Sequence, residues 1–196
     1  VRGVVNRVWP PTLEHPKREK KIVEKAPWDG MKADLVIVGA GIVGAAIARE
    51  LSRYDLKVVL VEKEADVGWG ESKGGGGWVH GFAGIDVSPQ SLKAKLCVKG
   101  NEMYDALAEE LEFPFKRIGL LAVATETELV PMLDFVEGIV REHGTKVMVI
   151  RNREEIFKLE PRITKKAVAA LHFPTYGVVS PYLVTIALVE NATVNG

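Results

Sequence analysis

Leu35-Val36-Ile37-Val38-Gly39-Ala40-Gly41-Ile42-Val43-Gly44 decides the fold of this chain. Four aliphatic residues, three of them β-branched, form a continuous run without polar alternation, as expected of a strand buried on both faces of a parallel sheet. G-x-G-x-x-G follows at once. Ala45–Tyr54 then reads as a helix, with Ala45, Ala46 and Ala48 small enough to lie close on a sheet, and Lys57–Val61 reads as a second buried strand that ends in Glu62. The segment is a βαβ unit whose first turn carries a dinucleotide fingerprint. Gly39 permits the tight turn, Gly41 lets the backbone approach a pyrophosphate, and Gly44 lets helix and strand pack closely. The helix start at Ile42 and Val43 presents free N–H groups and the positive dipole end to phosphate. Glu62 lies 18 residues beyond Gly44, at a strand end where a carboxylate accepts hydrogen bonds from a ribose diol and repels a 2′-phosphate.

Composition narrows the class further. The 196 residues carry 26 Lys+Arg against 26 Asp+Glu, with 47% hydrophobic and 27% charged residues. These proportions are those of ordinary globular chains and exclude a disordered chain, a collagen-like chain and a broadly basic nucleic-acid binder. The longest uncharged apolar run, Leu35–Ala48, has 14 residues, too short for a membrane span of about 18–20. One cysteine, Cys97, allows no internal disulfide and suits a reducing compartment. The expected location is cytoplasmic, with peripheral attachment at the inner face of a membrane as the second reading. Residues 1–32 hold eight Lys/Arg and four Asp/Glu, so the surplus positive charge is concentrated there. With Pro10, Pro11, Pro16 and Pro27 and no helical or strand period, residues 1–31 are expected to be a loosely structured extension. A basic arm is one reading of it, and sequence lying upstream of a natural start at Met31 is another.

After Glu62 the chain does not continue as a nicotinamide-type Rossmann domain usually would. Gly68–Gly84 contains eight glycines in 17 residues. Such a stretch has poor helix and strand propensity, and backbone lying directly against a flat cofactor is one reason to keep it. Ser72 and Lys73 offer a hydroxyl and a cation for phosphate or ring contacts, and Gly70 and Gly76 leave the backbone uncovered. Trp78, Val79 and Phe82 are poor linker residues, which weighs against a plain surface linker. Downstream, Leu92, Leu96, Met103, Leu107 and Leu111 keep a helical period expected to face the core. Phe115–Thr125 reads as one strand weakened at Gly119, residues 127–143 as a helix stopped by Gly144, Val147–Ile150 as a strand and Arg153–Leu159 as a short helix. Ala167–Phe173 is a further strand, and Ser180-Pro181 opens a final helix as N-cap and first-turn proline. His15, His80, His143 and His172 are far apart, and none has a metal-ligand partner at a usable spacing; no metal site is expected.

The order of the βαβ unit, Glu62-Lys63-Glu64, Gly68-Trp69-Gly70, Ser72 and then His80 resembles the FAD-dependent oxidoreductases of the D-amino-acid-oxidase-like superfamily. Ser91-Leu92-Lys93-Ala94-Lys95-Leu96-Cys97-Val98-Lys99-Gly100-Asn101 and Gly177-Val178-Val179-Ser180-Pro181-Tyr182 look like the FAD-dependent glycerol-3-phosphate dehydrogenases. The Ser91–Cys97 run is similar also to L-2-hydroxyglutarate oxidases. The resemblance covers residues 32–196. It departs at Gly74–Gly77, where these families more often carry small polar residues, and at Trp78, which is larger than the usual aliphatic residue.

The resemblance implies FAD as cofactor, with Gly39, Gly41, Ile42, Val43, Gly44, Glu62, Lys63, Gly70, Ser72, Lys73 and Gly76 as its binding residues. It implies hydride transfer from an alcohol carbon to flavin, with glycerol 3-phosphate as first-choice substrate and an L-2-hydroxy acid or amino acid as the alternative. The electron acceptor is left open between a quinone, oxygen and a partner protein. His80 is the candidate catalytic residue, able to orient substrate or polarise its hydroxyl; a structural hydrogen-bonding role is the other reading. A nicotinamide dehydrogenase and a non-catalytic dinucleotide-binding fragment are the readings of other classes. The expected architecture is α/β: a truncated Rossmann-type FAD-binding domain in residues 32–112, the start of an inserted α+β substrate domain with a mixed sheet in residues 113–162, and a return to the FAD-binding domain in residues 163–196. The chain is expected to be incomplete, because no further parallel strand follows the last helix.

Overall fold

The computed structural model describes Gly30 and residues 32–195. The expectation for the basic extension lies outside the described residues. The chain divides into two compact units, one running through Lys73 and resuming at Thr185, the other formed by Gly74–Val184.

In the first unit, β1 (Leu35–Val38) and β2 (Val58–Val61) pair in parallel, Leu35 opposite Val58 and Val38 opposite Val61. Between them α1 (Ile42–Leu51) starts on Gly41, whose extended backbone makes it the N-cap. The helix buries Gly44, Ala45 and Ala48, while Ala46 faces out. Small residues on the inner face let α1 lie directly against the strands. Gly44 shows how close this is: a Cβ there would stand 2.0 Å from the carbonyl oxygen of Gly39 and 3.3 Å from Ile37 Cγ2. The expectation that β1 is buried on both faces needs correction. Ile37 is buried, but Val36 is 55% and Val38 85% exposed. Side chains alternate along a strand, and α1 covers only the face that carries Ile37.

In the second unit, β3 (Trp78–Val79), β4 (Phe115–Arg117) and β8 (Gly177–Val179) form one sheet in the order β3-β8-β4. β5 (Leu120–Ala124), β6 (Met148–Ile150) and β7 (Ala169–Phe173) form another in the order β5-β7-β6. All these pairings are antiparallel, not mixed. The single strand expected over residues 115–125 is divided at Gly119, which has φ +69. Ile118 N–H and Gly119 N–H both donate to Tyr176 O, at 3.1 and 3.0 Å, and the chain passes from one sheet to the other at this bulge.

The β5-β7-β6 sheet carries the core of this unit. Ala169, Leu171 and Phe173 on one face pack with Ala124 and with Leu133 and Val140 of α3 (Val130–Glu142). Ala170 on the other face packs with Ile150, Ala167 and Ile156 of α4 (Arg153–Leu159). Asn152 caps α4 by accepting Glu154 N–H at 2.8 Å. α5 (Pro181–Asn195) begins as expected, with Ser180 Oγ accepting Leu183 N–H at 3.5 Å.

α2 (Leu92–Leu111) is capped by Ser91, whose Oγ accepts Ala94 N–H at 3.2 Å. Its orientation corrects the sequence reading. Leu92, Leu96 and Met103 are 71%, 57% and 52% exposed, and the buried positions are Ala94 and Asn101. The inner face of α2 is made by a small residue and a hydrogen-bonding amide, while Leu92, Leu96 and Met103 face outward and Leu107 and Leu111 are half-buried.

Candidate functional site

Two candidate sites emerge, one in each unit. In the first unit the glycine turn, Glu62 and Ser72 converge at the N-terminus of α1. Gly39, with φ +101, turns the chain out of β1. The Glu62 carboxylate folds back under this turn: Oε2 accepts Ala40 N–H at 2.7 Å, and Oε1 accepts Lys63 N–H at 2.8 Å and Glu64 N–H at 3.0 Å. These bonds, the one from Glu64 foremost, hold the carboxyl below its ordinary value against the opposing effect of burial, and the Lys63 charge adds to them. A carboxylate has about four lone-pair positions, so accepting three N–H groups leaves it room for a further donor such as a ribose hydroxyl.

Ser72 arrives from 30 residues away. Its Oγ accepts Ile42 N–H at 2.9 Å, capping the first helical donor of α1. The approach is fixed by Gly68 N–H to Ala40 O at 2.8 Å and Lys73 N–H to Gly68 O at 3.0 Å. The N–H groups of Val43 and Gly44, also in the first turn, have no acceptor within the helix, and no acidic side chain occupies that turn. A Cβ on Gly41 would stand 3.1 Å from Ser72 Oγ, so the glycine keeps this corner open. Free donors, a helix dipole, a hydroxyl and an open backbone are the features a pyrophosphate requires. The residues present therefore fit the adenosine and pyrophosphate end of a dinucleotide.

Lys63 and Lys73 join this cluster through their backbone N–H groups, and their side chains make other contacts. The Lys63 side chain is 83% exposed and pairs with Glu64 at 3.6 Å. Lys73 Nζ lies 4.5 Å from the centroid of the Trp69 ring, a cation–π contact. Gly70 is exposed, and nothing lies within 4 Å of the space beside it.

In the second unit a cleft of about 340 Å³ is lined by Gly75–Gly77, Trp78, His80, Tyr104 and Val179 among others. This volume is within the range of small-molecule sites. Gly76 forms part of its wall. Gly77, at φ +72, is fixed in identity: a Cβ would lie 2.3 Å from Val179 O, and Gly77 O accepts Val179 N–H at 2.9 Å. The His80 ring stacks with Trp78 at 6.1 Å and meets the edge of Tyr176 at 5.4 Å. Its ring nitrogens make no hydrogen bond among the described residues, so they are available to a molecule in the cleft. Burial pushes the Tyr176 hydroxyl up to about 12, with Cys97 adding to the effect, and burial raises Tyr104 as well. Both phenols stay neutral, and their rings pack, Tyr176 against His80 and Phe173 and Tyr104 against Phe113 and Phe115.

Sequence reasoning missed the polar network behind His80. Asn101 Nδ2 donates to Val79 O at 3.2 Å and to Thr175 O at 3.0 Å, and its Oδ1 accepts Arg117 Nη1–H at 2.9 Å. Arg117 Nη2 also donates to Asn101 O and to Asp105 Oδ2, each at 2.6 Å. The hydrogen bond from Arg117 holds the Asp105 carboxyl below its usual range. The signal that was available is an asparagine four residues after Cys97 in a helix, where a packing residue would be expected. His143 lies away from the cleft, with its ring nitrogens 2.9 Å from Ile139 O and Val87 O, and His172 is on β7, lowered by burial. No group of three or more His, Cys, Asp or Glu able to hold a metal occurs among the described residues. Among them no helix is long and apolar enough to cross a membrane.

The chain is similar to several dehydrogenases and oxidases. It is 42% identical over 165 residues to a glycerol 3-phosphate dehydrogenase of Caloramator mitchellensis, covering 83% of this chain and 34% of that protein. It is 40% identical over 150 residues to a mitochondrial L-2-hydroxyglutarate dehydrogenase of Caenorhabditis briggsae, covering 76% of this chain and 34% of that protein. Among solved structures, the FAD-bound L-alpha-glycerophosphate oxidase of Mycoplasma pneumoniae matches with a TM-score of 0.71 and 31% identity, over 83% of this chain and 43% of that one. The chain thus spans about a third of the length of the curated relatives it matches. Residues 34–196 match the family described as FAD dependent oxidoreductase, and the chain belongs to that family.

Proposed function

We propose that the protein is an FAD-dependent enzyme that oxidises the secondary alcohol of glycerol 3-phosphate. The reading is carried by the cluster at the start of α1, where free N–H groups, the Ser72 hydroxyl and the Glu62 carboxylate meet around a glycine turn. There Gly39, Gly41 and Gly44 keep the backbone open, the Val43 N–H and the Ser72 hydroxyl hydrogen bind the pyrophosphate oxygens, and Ile42 holds Ser72 in place through its N–H. Glu62 takes a ribose hydroxyl and disfavours a 2′-phosphate by charge. Bound FAD supplies an acceptor for the hydride leaving the alcohol carbon. His80 receives the hydroxyl proton as the carbonyl forms, using a ring nitrogen that has no other partner among the described residues. A general base so placed contributes about a hundredfold to ten-thousandfold in rate. Lys63, Gly70, Lys73 and Gly76 belong to the same proposed binding surfaces, Lys73 through the Trp69 ring that it covers.

Glycerol 3-phosphate is favoured by the 42% identity to a dehydrogenase of that substrate, and the next reading, L-2-hydroxyglutarate or a related hydroxy acid, by the 40% identity to a dehydrogenase of that acid. Each is a small anionic alcohol. A quinone, oxygen or a partner protein then takes the electrons. A reducing, cytoplasmic setting suits the unpaired Cys97. The test is anaerobic bleaching of the flavin at its long-wavelength absorption band by glycerol 3-phosphate, L-2-hydroxyglutarate and a panel of amino acids. Fast bleaching by glycerol 3-phosphate alone supports the proposal. Fast bleaching by a hydroxy acid or an amino acid, with glycerol 3-phosphate inert, replaces the substrate.

A further inference from the structure

We propose that Asn101 and Cys97 are positioning residues for His80, the pair of α2 side chains that fixes where its imidazole stands in the cleft. The inference rests on the reading of His80 as proton acceptor. The two residues are one helical turn apart and therefore leave α2 on the same face. Their acceptors are consecutive carbonyls at the end of β3: Asn101 Nδ2 donates to Val79 O at 3.2 Å, and Cys97 Sγ–H donates to His80 O at 3.4 Å. The same Asn101 amide donates to Thr175 O at 3.0 Å, next to Tyr176, whose ring meets His80 at 5.4 Å. One side chain thus fastens both the backbone of His80 and the segment that carries its ring neighbour.

The amide cannot turn away. Arg117 donates to its Oδ1 at 2.9 Å and to its backbone oxygen at 2.6 Å, and is itself anchored on Asp105 and over the Phe115 ring at 4.9 Å. Asn101 is 5% exposed, and its bond to Val79 O is buried while those to Thr175 O and Arg117 are partly so. Packing alone would be met by an aliphatic residue, and α2 has several that face outward instead. What an aliphatic residue cannot supply is the pair of N–H donors aimed at the two segments that flank His80.

A double-mutant cycle in the flavin-loaded protein tests this, combining Asn101→Asp with His80→Asn. Asn101→Asp preserves size and the acceptor for Arg117 but removes both donors. The readout is the limiting rate of anaerobic flavin reduction by glycerol 3-phosphate and by L-2-hydroxyglutarate, together with the substrate dissociation constant. His80→Asn should slow reduction by about a hundredfold or more. Asn101→Asp should slow it roughly tenfold to a hundredfold with less than a threefold change in substrate affinity, the signature of a misplaced reacting group. In the His80→Asn background the same change should cost less than about threefold, because there is no base left to misplace. Cys97→Ala should cost about threefold, and Cys97→Ser, which retains a donor, should restore most of it.

A readout free of catalysis accompanies these rates. Amide hydrogen exchange over residues 77–82 should accelerate in Asn101→Asp and in Cys97→Ala, while β5 and β7 exchange as in the unaltered protein. Unchanged exchange at residues 77–82, or full multiplicative losses in the cycle, overturns the proposal. Faster exchange there with no slowing by His80→Asn overturns the reading of His80 instead. If Asn101→Asp does not fold, Cys97→Ala and Cys97→Ser decide the matter by the same two readouts.

Discussion

α1 and α2 make an instructive pair. Each follows a glycine-rich segment and packs its inner face against strands. α1 turns Gly44, Ala45 and Ala48 inward, as its small residues suggest. α2 has a clear aliphatic period at Leu92, Leu96 and Met103, yet turns Ala94 and Asn101 inward and leaves that period exposed. In α1 the inner face is decided by how close the backbone must come. In α2 it is decided by which side chain can satisfy the carbonyls of Val79 and Thr175. Apolar periodicity identifies a helix in both cases, but it predicts the buried face only where packing, not hydrogen bonding, makes the contact.

The largest effect is expected from Gly44→Val. Its Cβ would meet Gly39 O at 2.0 Å, so α1 must move off the strands. The expected cost is about 3 kcal/mol, read as a fall in the denaturation midpoint, with loss of bound flavin. Next comes a contrast within α2. Asn101→Ala removes the amide donors to Val79 O and Thr175 O and one acceptor of Arg117, which keeps Asp105, and should cost about 2 kcal/mol, whereas Leu96→Ala, on the exposed face, should cost less than about 0.5 kcal/mol. A Leu96→Ala loss as large as that of Asn101→Ala would show that the aliphatic face is packed after all. Gly41→Val, smaller still in its effect on stability, crowds Ser72 Oγ and the pyrophosphate corner. It should weaken FAD binding at least tenfold, about 1.4 kcal/mol, in a flavin fluorescence titration of a folded protein.

The smallest effect concerns Glu62. Its carboxyl is lowered in the folded state, above all by the Glu64 N–H bond. The stability it contributes is therefore complete above the ordinary value of 4.5 and is lost as the pH falls through its lower folded value. Glu62→Gln should lower the melting temperature slightly at pH 7, and the gap should close as the solution is acidified below pH 4.5.

Legibility in the sequence follows the same division. The βαβ unit was readable because its chemistry is local: strand, glycine turn, helix and strand-end Glu62 fall within thirty residues, and each glycine has one steric reason. Even there Glu62 has a second partner, Ala40 N–H, that sequence spacing does not reveal. Ser72 was legible as a hydroxyl near phosphate, but its bond to Ile42 N–H spans 30 residues and depends on the path of the loop between them. The split of the 115–125 segment was foreshadowed by Gly119, although the use of its two halves in different sheets is set by Tyr176 O, far along the chain. The Asn101–Arg117–Asp105 network was hidden for the same reason. Its partners come from α2, β4 and the turn before β8, and only the folded chain joins them.

The proposed flavin site stands or falls on whether the turn at Gly39–Gly44, closed by Glu62 and Ser72, holds the adenosine end of FAD. The most direct measurement is competitive dinucleotide binding to the purified protein, followed by flavin absorbance and fluorescence, with FAD, NAD and NADP offered in turn. The expected result is a yellow protein whose FAD is not displaced by either nicotinamide dinucleotide and is lost on Gly41→Val substitution. A colourless protein that binds NAD and ignores FAD, or one whose FAD affinity is indifferent to Gly41→Val, would contradict it.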